Sequence, residues 1–257
     1  MLDVERRQRV ADFIERNGRA TVDELSRHFK VSTATARRDL GHLSQLGVIE
    51  RAHGGAVSKR VRHDHGLSEP PVPSRASLQL DEKRRIGQAA ARHVTDGDVI
   101  IISAGTTTAA MVPHLADRKG LTVMTNALNV ATVLAAYRAI TVVILGGVLR
   151  HDQLSMSGAL TEEALKNLRA DKLFMGTPAI HVDYGLSAPD LSEVQSGRAL
   201  IAAVNDVFVL CDHTKFGKVA TMRVAGIEVA SCIITDPGTS AAEVDGLRAS
   251  GVGVETV

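Results

Sequence analysis

One short run limits what this chain can fold into more than any other. It is Val31-Ser-Thr-Ala-Thr-Ala-Arg-Arg-Asp-Leu40, closed by Glu50-Arg-Ala-His-Gly-Gly-Ala56. Ser32 offers a hydroxyl to the orphan amides of a new helix. From there Ala36, Leu40 and Leu43 recur at i, i+4 and i+7, laying one apolar stripe along it. At about 100° per residue, Arg38 lies opposite that stripe, Thr35, His42 and Gln45 share the outward side, and Arg37 sits on the flank. A helix presenting Thr and Arg near its start can enter a major groove N-terminus first, Arg bonding guanine and Thr meeting a thymine methyl or a phosphate.

The flanking sequence completes a module. Val4 to Glu15 has helical spacing, and Thr21-Val-Asp-Glu24 has the pattern of a capping box. Leu25 and Phe29 make the inner face of that second helix, and a short turn at Lys30–Ser32 leads into the third. After Gly47-Val-Ile-Glu, the Arg51–Ala56 segment suggests a hairpin with Gly54-Gly55 permitting positive φ at its tip. Arg51 and His53 would lie beside the phosphate backbone. The expectation is a winged helix-turn-helix over residues 1–57 that binds duplex operator DNA. Its contacts would come from Ser32, Thr33, Thr35, Arg37, Arg38, His42, Arg51, His53 and Gly54.

Charge agrees with that division of labour. Residues 1–62 hold 13 Lys and Arg against 8 Asp and Glu, a net of +5, whereas the remainder holds 17 against 21, a net of −4. A near-neutral total hides a basic first part, as expected when only one domain meets a polyanion. The surplus is modest, so useful affinity calls for two or more copies, a homodimer or homotetramer.

At 257 residues, 44% hydrophobic and 23% charged, the chain suits two globular domains. No apolar run reaches the roughly 20 residues of a membrane span, and the Met-Leu-Asp-Val-Glu-Arg-Arg start lacks a signal-peptide pattern, so cytoplasm is expected and no membrane partner. Cys211 and Cys232 sit in apolar runs and are expected as reduced thiols. His63-Asp-His65 is the nearest approach to a metal motif but falls in a linker; no metal and no cofactor is expected.

Residues 58–80, with Pro70, Pro71 and Pro73 among polar and basic residues, read as linker. Residues 81–257 then alternate helical patterns with runs apolar on both faces: Val99–Ser103, Leu121–Met124, Thr141–Leu145, Lys172–Met175, Val207–Cys211 and Cys232–Thr235. That alternation predicts an α/β domain with a mainly parallel sheet covered on both faces. Ligands of such sheets gather at the carboxyl ends of strands. Four motifs fall there: Ser103-Ala-Gly-Thr-Thr-Thr108, Thr125-Asn126, Gly146-Gly147 and Asp212-His-Thr-Lys-Phe-Gly217. The first can cradle a phosphate with hydroxyls, backbone amides and a following helix N-terminus. Lys215 can add a cation, and Asp212 can accept from a sugar hydroxyl. Singly, each also fits a helix cap, a turn or a solvated lysine.

The N-terminal pieces, from Glu5 to Val57, resemble the DNA-binding module of the DeoR family of bacterial transcription regulators. The motifs from Lys83 to Val257 resemble its effector domain, related in fold to ribose-5-phosphate isomerase. The resemblance implies a repressor of carbohydrate catabolic operons that senses a phosphorylated sugar. It assigns the phosphate loop to Ser103, Gly105, Thr106, Thr107 and Thr108, and the family's motif lysine to Lys215, with Thr214 in place of Ser. It also points to Glu193 and Arg198. Where the family often carries Asp, this chain reads Gly176-Thr-Pro-Ala-Ile180, with Asp183 as a partial substitute; Gly197 replaces a basic residue, and Pro113 would kink or delay a helix. Asn126, Gly146, Gly147 and Asp212 complete the expected effector set. The alternative is an isomerase-like enzyme with a DNA-binding appendage, which would need a carboxylate base that Gly176–Ile180 lacks. A constitutive architectural DNA binder would leave the second domain without a role.

Overall fold

The computed structural model describes residues 3–17, 19–45, 48–52, 54–58 and 69–257. The chain divides into two compact units, Met1–Ser68 and Glu69–Val257.

The first unit runs α1 (Asp3–Asn17), β1 (Arg19–Thr21), α2 (Val22–Phe29), α3 (Thr33–Gln45), β2 (Ile49–Ala52) and β3 (Gly55–Ser58). The strands form an antiparallel sheet in the order β1-β3-β2. Local chemistry sets these boundaries. Thr21 Oγ1 accepts from the Glu24 amide while Glu24 Oε2 accepts from the Thr21 amide, the reciprocal capping box read in the sequence. Lys30, at φ 53°, turns the chain out of α2. Gly54 takes φ +78°, whereas Gly55 is needed for closeness: a Cβ there would lie 2.2 Å from the Ala20 carbonyl oxygen of β1. Val10, Ile14, Leu25, Ala36, Leu40, Leu43 and Ile49 form the core.

The second unit begins earlier than residue 81. Residues 69–80, expected as linker, pack into it, and Val72–Arg75 is the helix α4. Prolines at a first helical turn lose nothing, because the amides there have no helical acceptor. The Val72 side chain is buried and its amide donates to the Asp152 carbonyl at 2.8 Å. His63 and His65, like the rest of residues 59–68, lie outside the described residues.

There follow α5 (Leu80–Arg92), β4 (Val99–Ile102), α6 (Thr106–Ala109), β5 (Thr122–Thr125), α7 (Leu128–Leu134), β6 (Thr141–Ile144), β7 (Val148–Arg150), β8 (Ser155–Ser157) and α8 (Ala159–Lys166). The chain continues through β9 (Ala170–Met175), β10 (Ala179–His181), β11 (Gly185–Ala188), α9 (Leu191–Ala202), β12 (Val204–Leu210), β13 (Met222–Ala225), β14 (Cys232–Thr235), α10 (Ala241–Ala249) and β15 (Gly253–Thr256). Seven strands form a wholly parallel sheet in the order β15-β14-β12-β9-β4-β5-β6. The runs apolar on both faces have a direct cause. Ile101, Leu173, Val209 and Ile233 pack on one side, beneath α8 and α9. Ile100, Ile102, Phe174 and Leu210 pack on the other, with Ile86 of α5 and Leu134 of α7. Two small antiparallel assemblies, β10-β11-β13 and the hairpin β7-β8, flank the sheet.

The chain order reverses at β4, whose neighbours are β5 and β9. There the loops leaving the strand ends diverge and open a crevice.

Candidate DNA interface and effector site

On α3, Ser32, Thr33, Arg37, Arg38 and His42 are exposed and Thr35 is half-buried. Ser32 Oγ accepts from the Thr35 amide at 3.1 Å and caps the helix start, and it meets Thr35 Oγ1 at 2.8 Å. Exposed Arg51 on β2 donates from Nη1 to the Arg37 carbonyl at 3.2 Å, tying the wing to the recognition helix. Gly54 is exposed at the hairpin tip, and His53 lies outside the described residues.

The inner face of α3 holds a residue that apolar spacing passed over. Asp39 is 1% exposed. Its Oδ2 accepts from Arg6 Nε at 2.7 Å, and its Oδ1 accepts from Arg6 Nη2 at 3.1 Å and Arg7 Nε at 3.3 Å. Burial pushes the carboxyl pKa up, but the hydrogen bonds and charges of both arginines outweigh it and hold it below the ordinary value. The ion pairs pin the recognition helix to α1.

In the second unit, the loops after β4, β9 and β12 meet at the crevice. One chamber is lined by Gly105, Thr106 and Thr107 after β4, Gly176 and Thr177 after β9, and Asp212, Thr214 and Lys215 after β12. Glu69, Arg75 and Lys83 also line it, though none was singled out from the sequence. The α6 helix is a single turn, followed by a separate 3₁₀ turn, Val112–Leu115, that has Pro113 in its first turn. The proline therefore splits the segment, and positive potential comes mainly from side chains. Lys83 is 5% exposed and donates to the Arg75 and Leu78 carbonyls at 2.7 and 2.6 Å. Burial pushes its pKa down most; Asp212 pulls it up, and Arg75 and Lys215 push it down again.

The phosphate-loop residues divide by role. Thr108 is fully buried, and its hydroxyl donates to the Ser103 carbonyl at 2.9 Å, with the Gly105 carbonyl at 3.2 Å, so it braces the loop. All three threonines line the chamber, and Thr106 and Thr107 stand ahead of the first helical bond from the Ala109 amide to the Gly105 carbonyl. Asp212 accepts from the amide and the hydroxyl of Thr214, setting the turn that carries Lys215.

A second chamber shares Glu69, Arg75, Gly176, Thr177 and Glu193 with the first. Ser103, Asn126, Arg150 and Ser196 add to its lining. Arg150 Nη2 lies 3.4 Å from Glu193 Oε2. Burial raises the Glu193 pKa, outweighing that arginine. Asn126 Nδ2 donates to the Met156 carbonyl at 2.9 Å, while buried Asn126 Oδ1 and Ser196 Oγ have no hydrogen-bond partner among the described residues.

Three expected effector residues lie elsewhere. Gly147 serves packing: a Cβ there would fall 2.3 Å from Thr161 Oγ1 and 2.7 Å from the Ser157 carbonyl oxygen. Its neighbour Gly146 accepts from Thr161 Oγ1 at 2.6 Å, beyond the edge strand β6. Asp183 is in the β10–β11 turn with its side chain 90% exposed. Arg198 is structural too, donating to the Val224 and Arg223 carbonyls at 3.1 and 2.7 Å. Among the described residues, no group of three or more His, Cys, Asp or Glu side chains is placed to hold a metal. Nor is any described helix long and apolar enough to cross a membrane.

A helix-turn-helix unit and a cleft-bearing parallel α/β unit in one chain define a class, the DNA-binding regulators that carry their own sensor. Residues 6–61 match the DeoR-like helix-turn-helix domain, and residues 78–237 match the DeoR C-terminal sensor domain. The chain belongs to the DeoR family of transcriptional regulators. It is 34% identical over 239 residues to the transcriptional repressor AccR of Agrobacterium fabrum, covering 91% of this chain and 90% of that one. It is 31% identical over 238 residues to the glycerol-3-phosphate regulon repressor of Escherichia coli, covering 92% of each. A ribose 5-phosphate isomerase A from Methanocaldococcus jannaschii overlaps 53% of this chain and 54% of its own at 19% identity, with a TM-score of 0.40.

Proposed function

We propose that this protein represses a carbohydrate catabolic operon, and that a phosphorylated sugar bound in the crevice controls its grip on operator DNA. One observation carries the ligand class. Arg75, Lys83 and Lys215 converge on the chamber whose wall is the Thr106–Thr107 turn. Three cations and two hydroxyl-bearing residues at a sheet's switch point suit a dianionic phosphate. The adjoining chamber suits the sugar, because hydroxyl groups would satisfy Asn126 Oδ1 and Ser196 Oγ and bridge Arg150 and Glu193. The regulatory role is supported by the relatives, both named repressors, one of them of a glycerol-3-phosphate regulon.

On DNA, Arg38 reads base edges from the exposed face of α3, while Arg37 and Arg51 hold phosphates. The protein works as a homodimer or homotetramer, for which exposed Ile144 on the edge strand β6, Val148 on β7 and Leu160 on α8 supply apolar surface. Ligand and DNA oppose each other by the same factor in both directions.

The test is thermal unfolding of the full chain against sugar phosphates and their unphosphorylated parents. A ligand at 100 times its dissociation constant adds about 2.7 kcal/mol. We expect a shift with a phosphorylated sugar only, lost in Lys215→Ala and reduced in Thr107→Ala. Equal shifts with the free sugar would refute the phosphate assignment.

A further inference from the structure

The Lys215 ammonium already holds an anion. Glu69 Oε1 lies 2.6 Å from Lys215 Nζ and 2.6 Å from Arg75 Nη1, and the Glu69 side chain is 12% exposed. Gln153 Nε2 donates to the Glu69 carbonyl at 3.0 Å, fixing the backbone that delivers this carboxylate. Arg75 is anchored independently, donating from Nε to the Pro70 carbonyl at 2.6 Å and from Nη2 to Gln153 Oε1 at 2.5 Å. Among the described residues, Lys215 Nζ has no other hydrogen-bond or ion-pair partner. Two anions cannot share one ammonium at this distance without strong repulsion.

Resting on the reading of this chamber as a phosphate site, we infer that Glu69 is a built-in competitor, whose carboxylate holds Lys215 and Arg75 until a ligand's phosphate displaces it. The exchange has a location as well as a chemistry. Glu69 is the first residue of the sensor unit. Occupancy of the chamber is thereby registered at the residue where that unit begins, which must leave its ion pairs when ligand arrives.

The experiment is calorimetric titration of the full chain with inorganic phosphate. Glu69→Gln keeps the size of the side chain and removes its charge. If the competitor holds the site about nine-tenths of the time, its removal tightens phosphate binding about tenfold. Glu193→Gln alters a carboxyl of the same cleft that pairs with Arg150 rather than with Lys215 or Arg75, so it measures the background gain from changing a neighbouring acid. The expected result is a clearly larger gain for Glu69→Gln than for Glu193→Gln, with Lys215→Ala abolishing binding. Equal gains, no gain, or weaker binding in Glu69→Gln would overturn the inference while leaving the phosphate site standing, provided Lys215→Ala still abolishes binding. Unchanged binding in Lys215→Ala would remove the site reading itself. Should Glu69→Gln fail to fold, Glu69→Asp decides: it draws the carboxylate back by one methylene from Lys215 and Arg75 while keeping the charge, and a smaller gain is expected, whereas no gain overturns the inference.

Discussion

The two units place functional cations in opposite circumstances. Arg37 and Arg38 are exposed on a helix whose own cap, Ser32, is satisfied locally by Thr35. Arg75 and Lys83 are nearly buried, and their polar atoms are spoken for by Glu69, Gln153 and main-chain carbonyls. A surface built to meet a polyanion can leave its charges in water until the partner arrives. A cleft proposed to take a small anion must stabilise its cations beforehand, and here the acceptors are ones that a ligand can replace. Mutations of these cations should therefore separate binding from stability in the first unit and entangle them in the second.

The largest effect expected is on stability within the DNA-binding unit. Asp39→Ala removes the acceptor that Arg6 and Arg7 share at the inner face of α3 and should cost about 3 kcal/mol, the low end for breaking a buried pair. In scanning calorimetry of the full chain, one transition should fall by about 12 °C or more while the other holds. Next comes Arg38→Ala, which should weaken operator binding by about 1–3 kcal/mol, read by fluorescence anisotropy, with both transitions unmoved. A lowered transition there would show that this face is also structural, and the contrast would fail.

Smaller effects sharpen the contrast inside the cleft. Thr108→Ala removes the donor that braces Ser103 and Gly105 and should cost about 1–2 kcal/mol of stability. Thr107→Ala should stay within about 0.5 kcal/mol in stability yet show a reduced ligand response. Reversed outcomes would exchange the roles of the two threonines. The pH dependence is the gentlest probe. Because Asp39 titrates below its ordinary 3.8 in the folded unit, its stabilisation is complete above that value and is lost as pH falls through the lowered folded pKa. Acid titration followed by circular dichroism should show this loss in the wild type and not in Asp39→Asn.

What could be read from sequence tracks how local the cause is. The Thr21–Glu24 box, the α3 stripe and the Gly54 turn depend on residues within a few positions of one another, and each stands in the structure. The parallel strands were legible because burial on both faces leaves unbroken aliphatic runs such as Val99–Ile102. The cleft was legible only in part. Lys83 shares a buried helix face with Ile86 and Ala90, so its spacing marks a core position and its chemistry does not. Pro70 and Pro71 disguised a segment that delivers Glu69 and Arg75. Gly147 shows the converse problem: a glycine that admits a neighbouring backbone looks the same in sequence as one that admits a ligand.

The strand order has a further consequence, in time. In register, Ile100 of β4 pairs beside Lys172 of β9, 72 positions along the chain. The crevice between them cannot close until that long loop is paid for in entropy. The DNA-binding unit, by contrast, completes its sheet within the first 58 residues. On a ribosome adding about 5–20 residues per second, the reader of DNA is finished seconds before the reader of metabolites. Every new copy of this regulator thus passes through an interval in which its DNA-binding unit is whole and its effector crevice is still unmade.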